Sequence, residues 1–140
     1  MVLLIDANVV LDVLLNRHPH YEYSRLVWKK CLRRQAEGHI SSLTFANIVY
    51  ITRRTLKPER RSYLLGALSS LFKFEDLTQA DLKAAADMKW RDFEDAVQSS
   101  TASRIHADYI ITRNTKDFQD SPIKAVTPEE YFMNIFDPEQ

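Results

Sequence analysis

The feature that most constrains the fold is an alternation of very short apolar runs with longer stretches of helical periodicity. The first run, Val2–Ile5, contains no polar residue and stops at Asp6. A strand with one face in water would alternate apolar and polar side chains, whereas a wholly apolar run is typical of a strand buried on both faces. The N-terminal run therefore predicts a central strand of a sheet that helices cover on both sides.

The rest of the chain repeats this alternation. We predict further strands at residues 39–42, 72–74, 109–112 and 123–126. Between them we predict helices at residues 8–16, 21–37 (ending at Gly38), 44–52, 58–71, 78–88 and 92–105, with Asp95 as the third residue after the Asp92 cap, and a short helix from Thr127. Strands separated by helices form parallel sheets. The prediction is a three-layer α/β/α domain over residues 1–136, with a mostly parallel sheet of four or five strands and a short tail at 137–140.

Composition excludes several classes of protein. The chain has 140 residues and a single cysteine, which rules out a disulfide scaffold, and it has no Cys/His cluster with zinc-ligand spacing. With only Gly38 and Gly66, neither a Walker loop nor a dinucleotide-binding glycine motif can form. The apolar runs fall far short of the roughly 18 residues that a membrane span needs. We therefore expect no membrane span, no signal peptide and a cytoplasmic location.

The net charge of zero hides an asymmetry along the chain. Residues 24–61 hold ten basic side chains and two acidic ones, a net charge of +8, and the remainder carries −8. A basic segment of this kind favours a polyanion or an acidic partner chain, and solvated helix faces are the alternative.

Acidic and amide side chains follow two predicted strands at the points where those strands end. Asp6 follows the first strand, Asn114 and Asp117 follow the strand at 109–112, and Asp95 lies in the first turn of the preceding helix. Ligands of an open parallel sheet bind beyond the carboxyl ends of its strands, so these side chains are expected to converge there. Crowded carboxylates without a cysteine or histidine favour a hard cation, Mg²⁺ or Mn²⁺. Such a site indicates metal-assisted hydrolysis of a phosphodiester.

Each of these residues also has a purely structural interpretation. Asp6 could cap the following helix, although Asn8 could take that task. Asp95 could serve only the helix dipole, and Asn114 with Asp117 could only form a turn. These alternatives stay open from the sequence.

The remaining candidates are weaker. Asp12, two turns beyond Asp6, faces either the pocket or solvent. Asp92 and Glu94 are interpreted mainly as acids of a helix cap and first turn, with metal contact as the alternative. Cys31 is interpreted as a small core residue.

Three segments resemble the PIN domain family, in particular its bacterial and archaeal branch that includes VapC-like toxins. They are residues 5–12 (IDANVVLD), 92–98 (DFEDAVQ) and 107–118 (ADYIITRNTKDF), and the last is the most specific. The resemblance spans nearly the whole chain. It implies a PIN fold, a Mg²⁺- or Mn²⁺-dependent ribonuclease that leaves a 3′-hydroxyl and a 5′-phosphate, and often an antitoxin partner and a homodimer.

The resemblance also implies roles for individual residues. The family's metal-binding acids fall on Asp6, Asp95 and Asp117, and Asn114 and Thr112 are polar neighbours of the last. The family usually places a Glu on the helix after the second strand, where this chain has Asn47. An amide carries no charge, so a hard cation would bind more weakly unless Asp12 or Asp92 compensates.

Two functional hypotheses follow. In the first, Asp6, Asp95 and Asp117 hold the metal of an endoribonuclease, Asn47 and Asn114 orient water, and Asn8, Asp12, Asp92 and Thr112 support them. A basic cluster, defined as Arg53, Arg54, Lys57, Arg60 and Arg61, would follow the RNA backbone. In the second, the chain is a catalytically weakened module that binds RNA or protein. An antitoxin that neutralises the basic surface is compatible with the first hypothesis.

Overall fold

The computed structural model describes residues 1–136, and the predicted tail at 137–140 lies outside the described residues. The strands are Val2–Ile5 (β1), Glu37–Ser41 (β2), Lys73–Glu75 (β3), Tyr109–Ile111 (β4) and Ala125–Val126 (β5). The α-helices are Ala7–Leu14 (α1), Tyr21–Leu32 (α2), Ser42–Ile51 (α3), Arg61–Leu71 (α4), Gln79–Met88 (α5), Phe93–Arg104 (α6) and Pro128–Glu130 (α7). Short 3₁₀ turns at Pro58–Arg60 and Thr115–Phe118 and a π-helical turn at Tyr131–Ile135 complete the order.

All strand pairs in the sheet are parallel, and the strand order is β3-β2-β1-β4-β5. The prediction of a parallel sheet is confirmed. The chain builds outward from β1 to β2 and β3 on one side, and β4 and β5 form the other side. The order therefore reverses between β1 and β4, and the carboxyl ends of these two strands border the crevice in which such sheets bind ligands.

The central strands are buried on both faces. Leu3 and Ile5 pack on one side of the sheet into a core formed with α1, α2 and α4. Leu4 and Ile110 point to the opposite side and pack with Ala102 of α6. Because successive strand residues alternate between faces, the apolar run of β1 supplies both cores.

Local capping signals place α5 and α6 as predicted. Thr78 accepts a hydrogen bond from the Asp81 backbone and the Asp81 side chain accepts one from Thr78, which forms a capping box before α5. Asp92 caps α6 by accepting a hydrogen bond from the backbone N of Asp95 at 3.1 Å. The caps fix where the two helices begin.

The predicted helix over 21–37 is wrong in its C-terminal part. The helix α2 ends at Leu32, the chain turns through Arg34 at a left-handed φ of 57°, and Gly38 lies inside β2. Gly38 is needed there for packing, since a Cβ would lie 2.7 Å from Cys31 Sγ and from Phe72 Cδ1. The prediction of Cys31 as a core residue is confirmed, and burial raises the pKa of its thiol to about 12. The predicted helix over 58–71 begins as the 3₁₀ turn Pro58–Arg60 and becomes α-helical at Arg61, and the other boundaries differ from prediction by at most two residues.

Within residues 1–136, every helix is too short or too polar to cross a membrane.

Candidate active site

The crevice between β1 and β4 positions Asp6. The backbone N of Asp6 donates to Ile111 O at 2.9 Å, which joins the end of β1 to the end of β4. Asp6 is the N-cap of α1, because its Oδ1 accepts a hydrogen bond from the backbone N of Ala7 at 2.8 Å. The alternative in which Asn8 caps this helix is wrong, since Asn8 lies within α1.

Three side chains from different parts of the chain also donate to the Asp6 carboxylate. Thr112 Oγ1 and Asn8 Nδ2 donate to Oδ2 at 2.8 and 3.4 Å, and Gln98 Nε2 donates to Oδ1 at 3.2 Å. Asp6 is only 9% exposed, so these partners fix the orientation of a nearly buried carboxylate. Capping is therefore one of several contacts of Asp6, and the predicted supporting residues Asn8 and Thr112 lie directly against it.

Asp95 lies among other carboxylates. It is half-buried in the first turn of α6. Burial, together with the negative charges of Asp92, Asp6, Asp117 and Glu94, raises the pKa of Asp95 to about 7. A helix N-terminus alone would favour the ionised form, so the neighbouring acids and burial outweigh the helix dipole.

None of the ion pairs among residues 1–136 includes Asp6, Asp95 or Asp117. The negative charge that raises the Asp95 pKa therefore has no basic partner in the described part of the chain. A bound cation would relieve it.

A small cavity joins these residues to α3. It has a volume of about 40 Å³ and is lined by Asp6, Asn47, Glu94, Asp95 and Gln98, among others. A water molecule needs roughly 10–15 Å³ in such a cavity, so this one has room for water. The structure thus brings Asp6, Asn47 and Asp95 together, as the sequence predicts.

Two residues of this cavity have a larger part than the sequence predicts: Glu94, interpreted mainly as a first-turn acid with metal contact as the alternative, and Gln98, which has no predicted role. Glu94 Oε2 accepts a hydrogen bond from Asn47 Nδ2 at 3.2 Å, so a carboxylate reaches the position where Asn47 lacks one. Gln98 also bonds Thr44 Oγ1 at 2.9 Å, and its buried Oε1 has no partner among the described residues. Helical spacing could have identified Gln98, because this residue lies one turn after Asp95 and therefore on the same face of α6.

Asp117 and Asn114 lie outside the small cavity. Asp117 is exposed on the 3₁₀ turn after β4 and borders an open depression of about 1130 Å³ together with Asp92 and Glu94. Asn114 is exposed, and its backbone N donates to Thr112 Oγ1 at 3.1 Å. Because Glu94 lines both spaces, the depression adjoins the cavity. Asp117 therefore lines a space next to the cavity rather than the cavity itself.

The donor chemistry fits a hard divalent cation. The charged side chains that line the cavity, Asp6, Glu94 and Asp95, are all carboxylates, which suit Mg²⁺ or Mn²⁺. The depression is lined by acidic side chains and also by Lys89 and Arg91. In residues 1–136, however, no three His, Cys, Asp or Glu side chains already stand in a metal-ligating arrangement.

Asp12 lies neither at the acidic cavity nor on a solvated face, the two surroundings predicted for it. It is fully buried, with 0% exposure, and its Oδ2 accepts hydrogen bonds from Arg113 Nε at 2.8 Å and from Ser24 Oγ at 3.3 Å. The prediction of a solvated face is wrong, because Arg113 neutralises the carboxylate inside the protein. Its hydrogen bonds also leave Asp12 engaged away from Asn47, so Glu94, rather than Asp12, lies where charge is missing.

The five residues of the basic cluster are all exposed, between the end of α3 and the start of α4. The Arg53 guanidinium lies over the Tyr50 ring at 4.1 Å and that of Arg60 over the Tyr63 ring at 4.8 Å. The cluster is thus an aromatic and cationic surface outside the acidic cavity.

Solved structures with this fold were found by comparison. The chain is similar to a chain of a toxin–antitoxin complex from Klebsiella pneumoniae, with 24% identity, coverage of 89% of this chain and 96% of that chain, and a TM-score of 0.67. It is similar to FitAcB from Neisseria gonorrhoeae, with 18% identity, coverage of 91% and 98%, and a TM-score of 0.67. For VapC20 from Mycobacterium tuberculosis, a toxin that cleaves the sarcin-ricin loop, the identity is 11%, the coverage 77% and 86%, and the TM-score 0.62.

No curated protein matches the sequence. The model of the PIN domain family matches residues 2–116, which include β1, the acidic cavity and the strand β4. The parallel sheet, the convergence of Asp6 and Asp95 at its switch point and this match over most of the chain lead to one conclusion: the chain belongs to the PIN domain family.

Proposed function

We propose that this PIN domain protein is a metal-dependent endoribonuclease. The observation that carries the proposal is the Asp95 carboxyl, which lies among Asp6, Asp92, Asp117 and Glu94 with no basic partner in residues 1–136. A protein retains such uncompensated charge at a cost in stability, and perturbed carboxyls of this kind concentrate at functional sites.

Asp6, Asp95 and Asp117 are the residues that would hold Mg²⁺ or Mn²⁺, directly or through water. When bound, the cation supplies charge neutralisation at the phosphodiester and a lowered pKa of water. The contacts from Thr112, Asn8 and Gln98 hold the Asp6 carboxylate in one orientation, so Asp6 needs little reorganisation on binding.

Asn47 and Asn114 contribute amide groups that orient water or phosphate oxygens. Glu94 supports the site by bringing a carboxylate to the cavity at Asn47, which offsets the charge that an amide lacks. The basic cluster would contact the RNA backbone in a salt-dependent manner without reading sequence.

The site is tested by cleavage of a pool of structured RNAs with Mg²⁺ or Mn²⁺. Asp95→Asn is expected to lower the rate by at least about 100-fold, the usual scale for losing a preorganised charged group at a site of phosphoryl chemistry. Asp87→Asn is the matched control, because Asp87 is exposed on α5 and pairs with Lys83. An undiminished rate in Asp95→Asn would remove Asp95 from the mechanism.

A second candidate function is a catalytically weakened module that binds RNA or protein. The observation that favours it is Asn47, an uncharged residue at the acidic cavity. RNA binding by the protein without cleavage in either metal would support it, and metal-dependent cleavage that Asp95→Asn removes would exclude it.

We also propose an antitoxin partner and a homodimer. The support is that several similar chains come from toxin–antitoxin complexes, including VapBC-1 from nontypeable Haemophilus influenzae. An acidic segment of the partner would complement the basic cluster. Growth arrest on expression of the chain alone, relieved by a small protein encoded beside it, is the expected result, and harmless expression would contradict it.

A further inference from the structure

A second cavity opens at the same edge of the sheet as Asp6. Its volume is about 340 Å³, at the lower end of the range of roughly 300–1,000 Å³ for small-ligand sites. Its walls include His20 and Tyr23 at the start of α2, Arg113 after β4 and Glu129 after β5. Neither the acidic cavity nor the basic cluster includes any of these residues.

Arg113 is held in place within this cavity. Its Nε donates to the fully buried Asp12 at 2.8 Å, and its side chain is 27% exposed. In residues 1–136 the hydrogen bonds of the guanidinium involve only Nε, which leaves the donors on Nη1 and Nη2 for a ligand. A buried carboxylate is costly unless it is paired, so this pair holds the guanidinium in place, and the donors on Nη1 and Nη2 suit the geometry of a phosphate.

Arg113 is tied to the acidic site through one side chain. The backbone N of Arg113 donates to Asn8 Oδ1 at 3.2 Å, and Asn8 Nδ2 in turn donates to Thr112 Oγ1 at 3.2 Å and Asp6 Oδ2 at 3.4 Å. Asn8 therefore sets the position of Arg113 relative to Asp6. An anion bound by Arg113 and one bound at the acidic cavity would thus both lie at the carboxyl edge of the sheet, beside β1 and β4.

Two aromatic side chains line the other wall. His20 is exposed and Tyr23 half-buried, and a spacing of three residues places both on one side of the first turn of α2. Unstacked RNA bases bind by stacking on tyrosine and histidine rings. The Glu129 carboxylate offers an acceptor for an exocyclic amino group of a base.

We propose that this cavity binds the nucleotide of single-stranded RNA next to the scissile phosphate. The base stacks on Tyr23 and His20, and the phosphate of that nucleotide lies on Arg113. This inference rests on the proposed ribonuclease function, because it takes the acidic cavity as the site of cleavage. The binding itself comes from Arg113 and the aromatic rings and does not require the metal.

The test uses the full chain in EDTA and a short, labelled single-stranded RNA that contains 5-iodouridine. Tyr23→Ala is expected to weaken RNA binding about tenfold, the scale of one lost base stack, whereas Tyr23→Phe keeps the ring and the affinity. Tyr21→Ala is the matched control, because the Tyr21 ring contacts that of His18 at a tilt of 46° and does not line the cavity. Irradiation is expected to crosslink the RNA to the α2 peptide that holds Tyr23.

Arg113→Lys provides a second variant that keeps a cation beside Asp12 and removes the planar fork. It is expected to weaken RNA binding. Arg33→Lys, an exposed change at the other end of α2, is expected to leave RNA binding unchanged.

Metal-dependent cleavage with unchanged RNA affinity in Tyr23→Ala and Arg113→Lys would overturn the nucleotide site and leave the ribonuclease proposal intact. A protein that neither binds nor cleaves RNA overturns both, and capture of an acidic peptide lost in Tyr23→Ala would assign the cavity to a protein partner instead.

Discussion

Two aspartates occupy the same helical position and experience opposite surroundings. Asp81 is the third residue after the Thr78 cap of α5, and Asp95 is the third residue after the Asp92 cap of α6. Burial disfavours ionisation of Asp81, but hydrogen bonds from Arg104 and Thr78 outweigh it and lower the pKa of this carboxyl below its ordinary value. At Asp95, burial and neighbouring acids act in the same direction and raise the pKa to about 7.

Both residues lie in the first turn of a helix, three positions after its cap. The difference between their pKa values therefore comes from their tertiary partners. Arg104 Nε lies 2.9 Å from Asp81 Oδ1, whereas the neighbours of Asp95 are carboxylates that follow β1, that lie at the start of α6 and that lie in the turn after β4. Asp81 therefore stabilises the fold, and Asp95 costs stability until a cation arrives. This contrast separates a structural acid from a functional one, and the predictions below test it.

The largest effect on stability is expected from breaking the ion pair between Arg104 and Asp81. Arg104→Met leaves Asp81 without a cation while Asp81 is only 3% exposed. We expect a loss of about 2 kcal/mol in the free energy of unfolding, below the cost of a fully buried pair because Arg104 itself is partly exposed. Denaturant unfolding measures it, with Lys83→Met as a control that breaks an exposed pair with Asp87 and costs under about 0.5 kcal/mol. Equal losses in the two variants would show that the Arg104–Asp81 pair contributes no more stability than an exposed ion pair.

The next largest effect is expected on the affinity for metal, from adding a charge to the acidic cavity around Asp95. Asn47→Glu adds a carboxylate to the cavity that Asp6 and Asp95 line. We expect Mn²⁺ affinity to rise about tenfold, or roughly 1.4 kcal/mol, because ligand charge governs the affinity for hard cations. Calorimetric titration measures the change, and Asn134→Glu, an exposed site in the C-terminal turn, should leave the affinity unaltered. An unchanged affinity in Asn47→Glu would place the metal elsewhere.

The smallest effect is a gain in stability from removing a charge. Without metal, the folded-state pKa of Asp95 near 7 lies above the value of about 3.9 for an unfolded chain, so stability falls as the pH rises between these values. Asp95→Asn removes this loss and is expected to stabilise the protein by about 1 kcal/mol at pH 8, with a smaller gain at pH 5, after allowance for solvent screening of a half-exposed group.

Thermal unfolding in EDTA at pH 5 and pH 8 measures this gain. Asp81→Asn is the matched control: the pKa of Asp81 is lowered in the folded state, so its stabilisation is present above its unfolded pKa and this variant should lose stability at both pH values. An Asp95→Asn protein that is less stable than the parent at pH 8 would contradict the account.

Local signals made much of the fold predictable. The apolar run of β1, the Thr78 and Asp92 caps and the alternation of strands and helices are encoded within a few residues of each other, and the structure has all of them. The end of α2 was not predictable in this way, because Arg34, rather than the glycine at 38, adopts the left-handed conformation. Gly38 is explained by its close approach to Cys31 and Phe72, which the sequence does not display.

The site was predictable where residues follow strand ends and unpredictable where distant side chains meet. Strand-end logic predicted that Asp6 lies at the same edge of the sheet as the loop after β4, and Thr112 at the end of β4 donates a hydrogen bond to Asp6. It gave no sign that Arg113 neutralises Asp12 across 101 residues, or that Glu94 reaches Asn47 across 47 residues. These contacts depend on how α1, α3 and α6 pack against the sheet, which periodicity alone does not determine.

The most direct test of the central claim is a calorimetric titration of Mn²⁺ into the protein at pH 8, above the pKa of Asp95. The claim is that the charge around Asp95 is uncompensated because a cation binds there. The parent protein and Asp81→Asn are expected to bind Mn²⁺ with similar affinity, and Asp95→Asn is expected to show no detectable binding. Binding that survives in Asp95→Asn, or a parent protein that binds no Mn²⁺, would contradict the account.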